Sequence, residues 1–489
     1  MTSAAERDTL RLTPPSPTST TQAGPAEALD GERQFRDWHP EQGELLPQHV
    51  RRELGEDHLA CFFMDLRPVL DFGAILASYK SERGYPPYNP VMMTLLLMYS
   101  YARGVTSSRE IERRCVTDLA YRYIAGGGRP DHDTICYFRV RHLAAFKALF
   151  VETTRLAREL KVMRLGHLSI DGTKVKANAS KHKAMSYGRM EPALDKLDAQ
   201  IDELLKDAER IDAEESRRHG RGRGDELPAS LADPKARAQQ LRAAKARLAE
   251  ADKKVEVAVE KEARAEKIAE SKTALEEAAR EKAKAEGKDP EQAKPDDKAQ
   301  RNFTDPESRI MPTRGGFEQA YNAQVAVEAG TLLIAAECVT QQTNDAGQLA
   351  PMVKQAIANT TLTPSEVSAD AGYLSERDVT AVEALGPECF VATGRQKHGE
   401  VPKAPRGRTP AALTWTERMA RKLRTKRGRR KYANRKVTAE PGIGLIKNRG
   451  FRTFSMRGLV KARGEFSLVC AVHNLVRLFH LGAALPAAA

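Results

Sequence analysis

Three acidic side chains in this sequence stand where an acid can do chemistry. The run His167-Leu168-Ser169-Ile170-Asp171-Gly172-Thr173-Lys174 alternates apolar and small polar residues, then reaches Asp-Gly. That pattern predicts a buried strand stopping at Asp171, with a glycine turn just beyond it. Ser365-Glu366-Val367-Ser368-Ala369-Asp370-Ala371-Gly372-Tyr373 predicts a second short strand, stopping at Asp370. Glu440 stands seven positions before Lys447, about two helical turns. Pro441 follows Glu440 directly, which places the glutamate at the start of its helix and not in the middle. Gly442 and Gly444 weaken that helix further. Two strand-end aspartates and one helical glutamate are the ligands a pair of Mg2+ ions needs, with Mn2+ as the alternative. Such ions take hard oxygen donors and few protein carboxylates, leaving room for phosphate oxygens and water.

These three acids are far apart in the chain, so strands and helices must bring them together. Gln319 to Val327 and Thr331 to Val339 flank Ala329-Gly330, which predicts a hairpin. A helix over Asp345 to Asn359, the strand at Val367, a helix over Ser375 to Ala384 and a strand over Cys389 to Thr393 follow. The final element runs from about Phe466 to Leu481. The fold class is therefore α/β, a mixed sheet flanked by helices. Ahead of it, residues 35–160 read as mostly helical. An apolar helix opens at Tyr88-Asn89-Pro90, Gly126-Gly127-Gly128 makes a break, and Asp131 to Thr134 cap the next helix, which offers Arg139, Arg141 and His142. Short helices with basic faces fit a helix-turn-helix DNA reader. They equally fit a bundle that only supports the body.

Residues 186–300 differ in kind. From 191 onward Lys, Glu, Ala, Arg and Asp dominate, and Leu194, Leu197, Ile201 and Leu204 keep helical spacing. Long solvated helices are expected, forming an antiparallel hairpin broken around 220–234. An exposed insertion without catalytic role is the simpler reading, and a dimerising or DNA-touching arm the sharper one. Residues 1–34, rich in Ser, Thr and Pro, read as a disordered tail, and residues 483–489 as a second tail.

Bulk properties narrow the partner. The 489 residues carry a formal charge of +13, which points to a polyanion, most often nucleic acid. Positive charge clusters over 395–436, most densely from Arg421 to Lys436. The six cysteines are scattered with no CxxC, which argues against a zinc ribbon or a disulfide framework and fits a reducing cytoplasm. His132 with Cys136, and Cys470 with His473, stand one helical turn apart, but neither has an evident second pair. The longest apolar stretch, Val91 to Met98, is too short to span a bilayer. A cytoplasmic protein, nucleoid-associated when bound to DNA, is expected.

The ordered set resembles a known family. Asp171, a hairpin, Asp370 in Asp-Ala-Gly-Tyr, and Glu440 followed by Lys447 resemble the DDE transposases of bacterial insertion sequences. Tyr321-Asn322-Ala323-Gln324, Thr343-Asn344-Asp345, Thr304 to Arg309, and Pro130 to Thr134 with Phe138-Arg139 resemble further stretches of that family. The resemblance implies a ribonuclease H-like catalytic domain over 161–482, interrupted by the insertion, with the helical region as the DNA-binding candidate. It implies that Asp171, Asp370 and Glu440 hold the metal ions. It also implies double-stranded DNA, the element's ends and a target, as partner, bound by a homodimer or higher assembly. Lys447, Lys174, Arg435 and Lys436 are the candidate DNA contacts. The family places Tyr and then Arg at fixed spacing before its glutamate; here Tyr432 and Arg435 each come one residue early, and Lys436 takes the four-before position. Two other outcomes stay open: a nuclease that cuts without joining, and a transposase-derived DNA-binding protein without activity.

Overall fold

The computed structural model describes residue 38 and residues 49–79, 86–219, 234–313, 315–394, 404–410 and 412–482. The expected tails at 1–34 and 483–489, and the break at 220–233, lie outside the described residues.

Among the described residues eight helices come first: α1 (Val50–Leu54), α2 (Leu59–Asp65), α3 (Gly73–Leu76), α4 (Pro90–Ala102), α5 (Ser108–Thr117), α6 (Leu119–Ile124), α7 (His132–Arg141) and α8 (Leu143–Glu159). Their starts follow local chemistry. Asn89 accepts from the Val91 and Met92 amides, with Pro90 in the first turn of α4. Asp118 and Asp131 cap α6 and α7 in the same way. Helix α4 is apolar around its whole circumference, and Met92 to Tyr101 are buried, as a central helix must be.

The sheet begins with β1 (His167–Lys176). After a short strand β2 (Ala184–Ser186) come two long helices, α9 (Tyr187–His219) and α10 (Pro234–Ala285), and the return strand β3 (Gln300–Asn302), which pairs with β2. The charged segment is thus a helical hairpin standing on a two-stranded base. The rest of the main sheet is β4 (Arg309–Thr313), β5 (Gly316–Glu328), β6 (Ile334–Thr340), β7 (Glu366–Ala369) and β8 (Glu388–Val391). The path β4-β5-β1-β7-β8 has β6 added on β5. β1 runs antiparallel to β5 but parallel to β7, and β7 parallel to β8. The helices α11 (Leu349–Thr360) and α12 (Glu376–Glu383) link β6 to β7 and β7 to β8. The chain closes with α13 (Trp415–Arg424), α14 (Lys426–Ala433), α15 (Ala439–Asn448) and α16 (Leu459–His480). This is a mixed α/β architecture, as expected from the sequence.

Three expected boundaries are corrected; one is the final helix, which starts at Leu459 and not near Phe466. β1 does not stop at Asp171: it pairs with β5 through Lys176, so the aspartate lies inside a ten-residue strand. What ends near Asp171 is the parallel ladder with β7, whose last pair is Ile170 with Ala369. The third correction is α11, which starts at Leu349 instead of Asp345. Asp345 stays in the loop, where its side chain is free of helix geometry.

The N-terminal helices and the sheet share one continuous apolar core, from Ala60 to Leu478. Helix α16 is its spine, buried at almost every position from Ala462 to Val476. Asn474 on α16 accepts from the Ile334 amide at 2.8 Å and donates to its carbonyl at 2.9 Å. That satisfies backbone groups on β6, which would otherwise be an open sheet edge.

Candidate active site

Asp171, Asp370 and Glu440 reach one place from three elements. Asp171 projects from β1, Asp370 follows the last residue of β7, and Glu440 lies in the first turn of α15. Their common neighbour is Arg435. Its Nη2 lies 3.1 Å from Asp171 Oδ2 and 3.6 Å from Asp370 Oδ2, and its Nη1 lies 3.6 Å from Glu440 Oε1. One guanidinium therefore bridges residues from β1, the turn after β7 and α15.

Local structure explains each placement. Asp370 Oδ1 accepts from the Gly372 amide at 2.9 Å, capping the short 3-10 turn Ala371–Tyr373. Asp171 Oδ1 accepts from the Gly172 amide at 2.9 Å, leaving Oδ2 toward Arg435. Glu440 is brought in because α15 packs closely on β5: a Cβ at Gly442 would lie 3.1 Å from Val327 Cγ1. The glycine that weakens the helix in isolation is thus the residue that lets it approach the sheet. Glu440 is the most open of the three acids, its side chain 54% exposed against 13% for Asp171.

The electrostatics are those of an acid cluster held by a cation. Burial pushes the Asp171 carboxyl up to about 6, and the neighbouring Asp370 adds to this while Arg435 opposes it. Burial works against the charge on Arg435, but Asp171, Tyr432 and Asp370 together outweigh it and hold the guanidinium above its ordinary value. Its Nε is buried without a hydrogen-bond partner.

The predicted basic residues divide. Arg435 faces the acids, and Lys436 is exposed. Lys436 would share a face with Glu440 only in one unbroken helix, and the chain between them is a 3-10 turn, Asn434–Val437, followed by a non-helical Thr438. Lys447 donates to Thr173 Oγ1, so α15 is pinned to β1 two residues beyond Asp171. Lys174 pairs with Asp345 at 3.5 Å. In the basic stretch, Arg427 and Lys431 pair with Glu366, and Arg427 and Lys422 with Glu388, fastening α13 and α14 to β7 and β8. Arg424, Lys426 and Arg430 remain exposed. His132 pairs with Glu112, and His473 with Leu332 and Arg449.

The acids fit a divalent cation in donor type and charge: three carboxylates already converge on one positive group. Among the described residues, no three acidic or metal-binding side chains are drawn close enough to form a ready-made metal site. Sequence reasoning missed Asp345, which borders the same cluster; its only signal was membership of the family-like stretch Thr343-Asn344-Asp345.

Comparison with known proteins bears on both ends of the chain. Residues 49–141 match a family model described as a transposase domain, and residues 388–479 match one described as a transposase DDE domain. No curated protein and no solved structure matches. Among the described residues, no helix is long and apolar enough to cross a membrane. The second match contains Glu440, Arg435 and Lys447, and the first covers the helices that share the core with their sheet. The two matches lie at separate places and both carry transposase descriptions, and together they support an insertion-sequence DDE transposase.

Proposed function

We propose that this protein cuts DNA at the ends of its own insertion sequence and joins those ends to target DNA, using Asp171, Asp370 and Glu440 as ligands for Mg2+ or Mn2+. The observation that carries the reading is the convergence of these three carboxylates on the single guanidinium of Arg435. The mixed sheet, in which β6, β5 and β1 run antiparallel and β7 and β8 continue parallel to β1, with helices flanking, supports a ribonuclease H-like catalytic body.

When bound, a metal pair supplies Lewis-acid activation of a water or 3′-hydroxyl and stabilisation of the leaving oxygen in an in-line displacement at phosphorus. The chain's part is to aim and neutralise. β1 and the turn after β7 hold two carboxylates rigidly, while Glu440 enters from the more exposed side. Arg435 keeps the acids gathered before a divalent ion arrives, and afterwards its charge is available to a DNA phosphate. Lys447 holds α15 against β1 through Thr173, and so fixes where Glu440 stands. No nucleophilic serine or tyrosine is required.

Asp171→Asn should abolish cleavage of DNA carrying the element's ends. It should leave DNA binding largely in place in a gel-shift assay, since Lys and Arg contacts to phosphate supply most of the affinity. Cleavage that survives the substitution would remove Asp171 from the site. Joining is read separately, with a precut end and a target plasmid; cleavage without joined product would favour a plain nuclease.

A further inference from the structure

Asp345 is a fourth carboxylate beside the site, and its surroundings are built. Its Oδ1 accepts from Asn322 Nδ2 at 2.8 Å and from Gln324 Nε2 at 2.6 Å, both on β5, and lies 3.5 Å from Lys174 Nζ on β1. Three donors on one oxygen, one of them a cation, need the negative charge of a carboxylate. Gln324 is held in turn. Its Oε1 accepts from the Tyr373 hydroxyl, in the turn after Asp370, and its Nε2 also donates to Asn322 Oδ1 at 3.0 Å.

The glycines beside the two aspartates border this same carboxylate. A Cβ on Gly172 would lie 2.4 Å from Gln324 Nε2 and 2.7 Å from Asp345 Oδ1. A Cβ on Gly372 would lie 3.1 Å from Asp370 Oδ1 and 3.2 Å from Asp345 Oδ2. Neither glycine has a positive φ. Their small size, and not their backbone freedom, is what these positions use. One loop carboxylate thus packs against the residue after Asp171 and the residue two beyond Asp370.

We propose that Asp345 is a positioning residue: it sets the separation of Asp171 and Asp370 by filling the space both glycines leave. On one side it acts through Gly172 and Gln324, on the other through Gly372 and the Tyr373 bond to Gln324. The inference deepens the metal-dependent reading and rests on it, because the separation it sets is the one the two acids present to a cation.

Two measurements test it. The first needs no metal. Unfolding of wild type, Gly172→Ala, Asp345→Ala and the double variant in chelator forms a double-mutant cycle. Gly172→Ala should destabilise the wild type strongly and the Asp345→Ala background far less, because the carboxylate is gone and the Gln324 amide is released. Additive losses would overturn the proposal. The second is Mn2+ binding by calorimetry at a temperature where every variant is folded. Asp345→Ala should weaken binding by about tenfold or more, as removal of outer supports of metal ligands does. Asp345→Asn, which keeps the shape, should recover part of it. A residue that only stabilises the fold would leave the affinity unchanged, and that result would overturn the proposal. Should Asp345→Ala fail to fold, Asp345→Ser, which also vacates the space beside Gly172, carries both measurements. A wild type that binds no Mn2+ would sink the metal-dependent reading, while the cycle would still decide the role of Asp345.

Discussion

Arg435 holds together carboxylates that would otherwise repel. Removing one partner of a buried ion pair costs about 3–5 kcal/mol. Here Glu440 is half exposed while Asp171 and Arg435 are not, so the lower end of that range applies. Arg435→Ala should therefore destabilise the metal-free protein by about 3 kcal/mol, and added Mg2+ should raise its melting temperature more than it raises that of wild type. Equal melting temperatures in chelator would show that the guanidinium is not what gathers the acids. Arg435→Lys should fall between, since a point charge cannot serve three carboxylates as a planar fork does. The candidacy of both aspartates and the glutamate was legible from their residue neighbours. The role of Arg435 was not, because helical spacing says which side chains share a face only while the helix is unbroken. The 3-10 turn at Asn434–Val437 and the non-helical Thr438 break it.

At the scale of elements, the α9–α10 hairpin has its own small core. Met190, Leu197 and Ile268 are buried together, with Met185, Tyr187 and Phe303 packed against them. Tyr187 donates to Glu276 at 2.7 Å, Lys272 donates to Glu191 at 3.0 Å, and β2–β3 closes the base. This cluster is separate from the main core, so the hairpin should loosen without unfolding the body. Ile268→Ala should cost the hairpin about 2–5 kcal/mol. Hydrogen exchange should accelerate in the first turns of α9 while protection in β1 and β5 is kept. Equal loss of protection in β1 would mean that the two cores unfold as one. The helices were legible as periodic Leu and Ile among charges. Their seat was not, since Phe303 and Met185 carry no periodic signal of their own.

For the whole molecule, α16 decides how the parts cohere. Glu465, fully buried, accepts from the Tyr101 hydroxyl at 2.8 Å and from the Ser455 amide at 2.9 Å, joining α4 to the body. Eight residues further along α16, His473 accepts from Arg449 at 3.2 Å and donates to the Leu332 carbonyl at 2.7 Å. Burial, with Arg449 adding to it, holds the His473 imidazole down to about 3. His142 is held down to about 4 by burial, with Arg141 adding to the shift. A histidine whose pKa falls on folding binds its proton more readily in the unfolded chain. Its contribution to stability is thus complete above its ordinary value near 6.5 and is lost as pH falls toward the folded value. Stability should decline with acidification from pH 6.5 toward 4, and His473→Gln should flatten that decline in a pH series of denaturant unfolding. An unchanged slope would mean that His473 is not held neutral by the fold.

Asp171, Asp370 and Glu440, the hairpin between them, the helical head and the charged arm could all be read from the chain, because each leaves a local trace: alternation, a cap, a run of charges, a proline after a glutamate. What only the tertiary structure decided was which cation meets the acids, why glycine stands at 172, 372 and 442, and that Asp345 faces β5. Those outcomes depend on the distance between elements remote in sequence. No local pattern encodes such a distance; it follows from the sheet register and from how closely α15 and the loop before α11 approach β5.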